Sequence, residues 1–290
     1  MYIGRYVKSL NHKTIKKHNT LQIFIGPRHN RNNKDITKYM TEKEIKKLNM
    51  LLKNSKLFIH SNYQTLLGNN SPRMINAVLK ELKSGDLLGA QGVVVHLGKC
   101  KKNIIKNAIT ILDKHKGKTK LLLETSSGKG NEDAITFEEL GDILRQIKKK
   151  IKNKEMIGIC LDTCHIFSAG YDIRNRDSTL KVLAKFNKEI GFNNLRCIHF
   201  NDSSFEFNSR TDCHNNIGCG FIGSQKLGGS LEGFKVILLY AKKYKIPVIL
   251  ETPNKKECYP INNTEKHELE LETVKKLIKD DLKSIKLGYC

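Results

Sequence analysis

The sequence predicts an α/β chain folded as a closed (β/α)8 barrel, a TIM barrel with its active site at the C-terminal ends of the strands. Three observations carry that expectation. Eight short apolar runs recur along the 290 residues. Amphipathic stretches with helical spacing fill almost every gap between them, which argues for parallel strands joined by helical crossovers. Eight such units in a chain of this length suit a closed barrel better than an open sheet. No linker or shift in composition interrupts the pattern, so residues 1–290 are expected to form a single domain.

Taken in order, Tyr2 to Lys8 and Thr20 to Ile25 read as the first two strands, with a short helical segment around Lys13 to His18 between them. Ile45, Leu48, Leu51 and Leu52 recur at helical spacing and predict a helix over Thr41 to Asn54. Leu57 to His60 is the third strand, and Pro72 to Leu88 the helix after it. Gly92 to His96 is a β-branched run, followed by a helix from Ile104 to His115. Lys120 to Glu124 is the fifth strand. The next helix, Thr136 to Lys152, carries lysines in its last turns, where they suit the helix dipole. Met156 to Leu161 is apolar and strand-like; helix Ser178 to Glu189 and strand Leu195 to Phe200 follow. A polar loop extends to about Gly229. Helix Leu231 to Lys245, strand Pro247 to Glu251 and a charged helix from Lys266 to Ile285 complete the chain.

Composition sets bounds on function. A hydrophobic content of 39% allows a large core. No apolar run approaches the roughly 18–20 residues that cross a bilayer, and Met1 to Thr20 lacks the continuous apolar segment of a signal peptide. An intracellular, non-secreted protein without membrane contact is therefore expected, as a monomer. Eight cysteines occur with no C-x-x-C pair, so reduced thiols are expected rather than a disulfide framework or a zinc ribbon. The net charge of +23 suggests a polyanionic partner, nucleic acid first. The excess is mostly lysine, in a chain rich in asparagine and isoleucine, so base composition of the coding sequence is the competing explanation.

The polar residues give the sharper signal. Asp162 and His165 stand where an apolar strand ends, a poor way to build a core and a good way to hold a cation with oxygen and nitrogen ligands. Other strands repeat the pattern. His60, His96 and His199 end strands, and His214 lies in the loop after the seventh. Glu124, Asp162 and Glu251 take matching positions, with Asp212 in that same loop. In a barrel these ends form one face. Each residue alone has a structural alternative: His60 or His96 as a satisfied core histidine, Glu124 and Glu251 in salt bridges, Asp212 and His214 facing water. All the alternatives would have to hold together at one end of successive strands. Buried imidazoles and carboxylates are costly unless paired, and metal ions relieve that cost.

Six stretches of the sequence resemble the endonuclease IV family of apurinic/apyrimidinic endonucleases. Phe58 to Tyr63 is similar to the family's His-x-x-Tyr strand end, and Val95 to Gly98 to its His-x-Gly. Leu122 to Gly130 resembles its Glu-Thr-Gly-rich turn. Gly158 to His165 matches Gly-x-Cys-x-Asp-Thr-Cys-His. His199 to Gly223 carries His-x-Asn-Asp-Ser, Ser-Arg-x-Asp-x-His and Ile-Gly-x-Gly-x-Ile-Gly, and Ile249 to Pro253 closes with Leu-Glu-Thr-Pro.

The resemblance implies three zinc ions: one held by His60, His96 and Glu124, a second by Glu124, Asp162, His199 and Glu251, a third by His165, Asp212 and His214. Glu251 and Glu124 are then the catalytic carboxylates. Arg28 and Tyr63 match positions that enter the DNA stack. Three departures stand out: Cys213 where the family usually has arginine, an unusually short first helix, and Gln64 where the family often has an apolar residue. The implied activity is hydrolysis 5′ of abasic sites in double-stranded DNA, leaving a 3′-hydroxyl, together with repair of 3′-blocked ends. A metal-dependent sugar isomerase on the same barrel, or a non-catalytic basic DNA-binding protein, are the alternatives. The charge and the Asp212/His214 pair speak against the first, and the filled ligand positions against the second.

Overall fold

The computed structural model describes residues 1–8, 10–26, 35–253 and 263–279. Eight parallel strands close into a barrel: β1 (Ile3–Tyr6), β2 (Thr20–Ile23), β3 (Lys56–His60), β4 (Gly92–Val95), β5 (Lys120–Glu124), β6 (Ile157–Asp162), β7 (Leu195–His199) and β10 (Val248–Leu250). The order around the barrel follows the chain, and β1 closes on β10 through the register Ile3↔Val248 to Arg5↔Leu250. All eight expected strands exist, each within a few residues of the apolar run that predicts it.

Helices α1 (His12–Lys17), α2 (Glu42–Leu52), α3 (Pro72–Leu88), α4 (Lys101–Lys114) and α5 (Phe137–Lys150) follow the first five strands. Their ends are written in local chemistry. Thr41 and Glu44 form a capping box at the start of α2, and Thr136 and Glu139 another at α5. Pro72 opens α3, and Gly89 ends it in the left-handed region at φ 67°. After β6 come α6 (Thr163–Ser168) and α7 (Arg176–Glu189); α8 (Leu231–Lys243) precedes β10 and α9 (Asn263–Leu277) follows it. Two elements lie outside the sequence expectation. One is α6, too short to show a periodicity. The other is an antiparallel ladder of two residues a side, β8 (Asp202–Ser203) with β9 (His214–Asn215).

Burial divides into two layers. The main core lies between strands and helices and includes Leu57, Val93, Leu121 and Ile159 from the strands with Ile104, Phe137 and Phe234 from the helices. A smaller cluster fills the lumen: Phe58, Val94, Leu122, Cys160, Cys197 and Ile249. Among the described residues no helix is long and apolar enough to cross a membrane. Cys100, Cys160, Cys164, Cys197 and Cys213 carry free thiols as the sequence leads one to expect. Cys219 corrects that expectation, because it is disulfide-bonded.

Candidate metal centre

Strand alternation builds the site. Residues i and i+2 of a strand share a face, so each lumen residue is followed two positions later by a polar side chain one layer higher. Phe58 leads to His60, Val94 to His96, Leu122 to Glu124, Cys160 to Asp162, Cys197 to His199 and Ile249 to Glu251. The lumen cluster is the apolar floor, and these six side chains stand on it at the mouth. His60, His96, Glu124 and Glu251 border a cavity of about 470 Å³ that Tyr63, Lys129 and Pro253 also line.

His165, Asp212 and His214 arrive by other means. Asp162 N-caps α6: its Oδ1 accepts the backbone N–H of His165 at 3.0 Å. The three-residue spacing is therefore the spacing from cap to third helical residue, and it turns His165 into the site. Asp212 lies in the loop between the two strands of the ladder and His214 opens the second strand, which returns His214 Nε2 to 3.5 Å from Asp162 Oδ2. Asp202, at the start of that loop, is fully buried, and its carboxylate accepts the N–H groups of Ser203, Gly218, Gly220, Ile222 and Gly223 at 2.8–3.1 Å. A Cβ on Gly220 would stand 2.2 Å from the Ser203 carbonyl oxygen and 2.6 Å from Asp202 Oδ1, so the glycine is required for that approach.

Glu124 is the hub. Its Oε1 lies 2.7 Å from His199 Nδ1 and 3.8 Å from His165 Nδ1; its Oε2 lies 3.3 Å from His96 Nε2 and 3.5 Å from His60 Nε2. His199 Nδ1 is also 3.1 Å from Glu251 Oε2 and 3.8 Å from Asp162 Oδ2. Asp212 Oδ1 lies 3.1 Å from His165 Nε2 and 3.3 Å from His214 Nε2. Two sets of ligand atoms fall within 4.8 Å of one another: His60, Glu124, His199 and Glu251, and separately Asp162, His165 and His214. The nine expected ligands thus lie together at the mouth. Asp162 stands between the second and third expected sets, its Oδ2 3.8 Å from His199 Nδ1 and 3.5 Å from His214 Nε2, and His96 reaches the first through Glu124. Tyr63 is 44% exposed above this face, its ring 5.5 Å from that of His60. Arg28 lies outside the described residues.

The atoms suit a cation. Among the buried side-chain atoms without a hydrogen-bond partner are Glu124 Oε2, His165 Nε2 and His214 Nε2, all turned into the cluster. The Nδ1 atoms of His60 and His165 lie 2.6 and 2.8 Å from the carbonyl oxygens of Ser61 and Thr125 and so donate to them, which leaves each Nε2 lone pair for the site. Electrostatics agree. Burial lowers the imidazoles, but Glu251 and Glu124 more than offset this for His199 and push it up to about 10. Asp162 and Asp212 similarly raise His214 to about 9. Burial opposes the charge on Glu124, yet His96 and His199 hold it well below the usual carboxylate range. This many buried carboxylates demand positive charge, from protons or from a metal. Nitrogen and oxygen donors without thiolate suit zinc or a similar divalent ion.

Sequence reasoning missed three supporting residues. Asn201 donates to Asp162 Oδ2 at 2.8 Å and accepts the Glu251 N–H at 2.9 Å. Thr125 Oγ1 accepts the Asp162 N–H at 2.9 Å. Gln22 on β2 lies between His199 and Glu251. Asn201 and Thr125 stand inside stretches that resemble the family's, and Gln22 leaves its trace as a lone amide inside the wholly buried run Thr20–Ile23.

Fold and cluster together define a (β/α)8 barrel equipped to hold cations at its C-terminal mouth. Residues 73–277 match a family model described as a xylose isomerase-like TIM barrel. The probable endonuclease 4 of Persephonella marina is 36% identical over 225 residues, 73% of this chain and 74% of that protein. The probable endonuclease 4 of Halothermothrix orenii is 34% identical over 253 residues, 81% and 84% of the two chains. The solved endonuclease IV of Thermus thermophilus superposes with a TM-score of 0.79 at 22% identity, over 97% of this chain and all of that one, and shares the fold. The chain belongs to the endonuclease IV family.

Proposed function

We propose that the protein is a zinc-dependent endonuclease of DNA base excision repair. It hydrolyses the phosphodiester 5′ of an abasic site, leaves a 3′-hydroxyl, and also clears 3′-blocked ends. The observation that carries this is the cluster of nine imidazole and carboxylate side chains at the barrel mouth, seven of them lining its cavity and Asp162 and His199 buried beneath, in a chain of this family. His60, His96 and Glu124, then Glu124, Asp162, His199 and Glu251, then His165, Asp212 and His214, would hold the three ions. Such ions, when bound, supply Lewis acidity toward water and toward the phosphoryl oxygens.

The chain's own residues do the rest. Glu251 is largely buried at the cavity wall, with Oε2 facing the cluster and Oε1 held from behind by Gln22. It can therefore take up the proton of the attacking water as the bond from phosphorus to the 3′-oxygen breaks. Glu124 binds two sides of the cluster at once. Tyr63, at the rim, fills the gap left by the missing base, and the family resemblance assigns Arg28 the same task. Hydrolysis needs no Schiff-base lysine. Lys129, which lines the cavity, meets a phosphate of the DNA backbone.

Incubation with an abasic duplex, before and after prolonged chelation, tests this. Incision 5′ of the site that disappears with the metal, and about three zinc ions by elemental analysis, are the expected outcomes. Active protein with one metal or none would overturn the three-ion assignment. Isomerisation of a sugar, or binding without incision, would overturn the activity.

A further inference from the structure

We propose, resting on the metal-dependent reading above, that Gln22 is a positioning residue that decides which nitrogen of His199 and which oxygen of Glu251 face the metal cluster. Gln22 sits on β2, a strand to which the nine expected ligands contribute nothing, and it is fully buried. A buried primary amide must satisfy both its oxygen and its nitrogen. The oxygen lies 2.8 Å from His199 Nε2, and the nitrogen 2.5 Å from Glu251 Oε1.

Only one orientation of the amide satisfies both contacts. A carboxylate that serves as a metal ligand has no hydrogen to give, so the nitrogen must face Glu251 and donate. The oxygen then faces His199 Nε2 and must accept, which fixes the proton there. With a metal in place of a second proton, Nδ1 is left with its lone pair, turned toward Glu124 Oε1 at 2.7 Å and Glu251 Oε2 at 3.1 Å. A lone pair facing two carboxylate oxygens is repulsive unless a cation lies among them. Gln22 therefore turns His199 into an Nδ1 ligand, whereas His60 and His165 present Nε2 because backbone carbonyls hold their Nδ1 atoms. The same amide occupies Glu251 Oε1 and leaves Oε2 for the site.

The test compares wild-type holoenzyme with Gln22→Met and Gln22→Glu. Losing a partner of this kind typically costs about 10- to 100-fold in metal affinity or activity. For Gln22→Met we expect zinc to pass to a chelator at correspondingly lower chelator concentration. We also expect kcat to fall while KM on abasic duplex stays within about twofold. Gln22→Glu still accepts from His199 but repels Glu251 until it is protonated, so its pH–rate profile should shift to lower pH. A residue that only fills space would produce no such shift. Retention of zinc and kcat within about twofold in Gln22→Met overturns the proposal, and so does an unshifted profile in Gln22→Glu should the methionine variant fail to fold. A wild-type enzyme without zinc or incision would instead overturn the metal-dependent reading itself.

Discussion

At the scale of single residues, charge and shape separate cleanly in Glu251. Glu251→Gln keeps the volume and the contact with Gln22 but removes a charge from the cluster, so kcat for abasic incision should fall about 10²–10³-fold or more, with DNA binding largely kept. Near-native turnover in the variant would refute its role. Tyr63 tests recognition. Base–aromatic stacking is worth roughly 1–3 kcal/mol, so Tyr63→Ala should weaken abasic-duplex binding about tenfold while zinc content is unchanged. Equal losses on intact duplex would reduce the side chain to a backbone contact. His18, buried beside β2, reports on stability instead. Burial lowers its imidazole to about 4, below the unfolded value. Its contribution is therefore present above about pH 6.5 and lost as pH falls through 4. As pH falls between those limits, the urea midpoint should drop more for wild type than for His18→Gln. Six of the ligands were legible in the sequence because each ends an apolar run two positions beyond a lumen residue, whereas His165, Asp212 and His214 were legible through the motifs that carry them. Gln22 and Asn201 were not, because their roles come from partners remote in the chain.

At the scale of elements, the centre depends on two pieces that periodicity could not announce. Helix α6 is six residues long, about a turn and a half, too short for an amphipathic stripe. Asp162 starts it, so one carboxylate both caps the helix and faces the cluster. The other piece is the loop from Asp202 to Gly223, where five backbone N–H groups close on one side chain. The Ile-Gly-x-Gly-x-Ile-Gly run was legible as a family motif, but its physical purpose appears only once Asp202 is seen among the amides. In Asp202→Asn one side of the new amide must face donors with a donor, at about 1–3 kcal/mol for each bond lost. We expect a lower melting temperature together with loss of about one zinc, the one assigned to His165, Asp212 and His214. Full zinc content in the variant would show that the loop holds its shape without that charge.

At the scale of the whole molecule, the barrel was readable because strands and helices alternate with so little interruption, and boundaries were off mainly where caps rather than hydrophobicity end an element. The net charge of +23 belongs to this scale too. If about five phosphates are neutralised on binding, log K should fall with log salt at a slope of roughly −4 to −5. A flat response in a filter-binding series would make the lysines a matter of composition alone.

The seam between Ile3 and Val248 has a bearing on how the enzyme comes into being. A chain emerging from the ribosome makes seven strands before the eighth exists, and until then the sheet has two open edges that can pair with a neighbour. His60, Glu124 and His199 have left the exit tunnel by that stage, yet Glu251 has not. The last ladder joins partners from far ends of the sequence, a loop-closure cost that slows folding. Nascent chains stalled before residue 248 should therefore bind metal weakly and aggregate readily, with the catalytic centre maturing only after release.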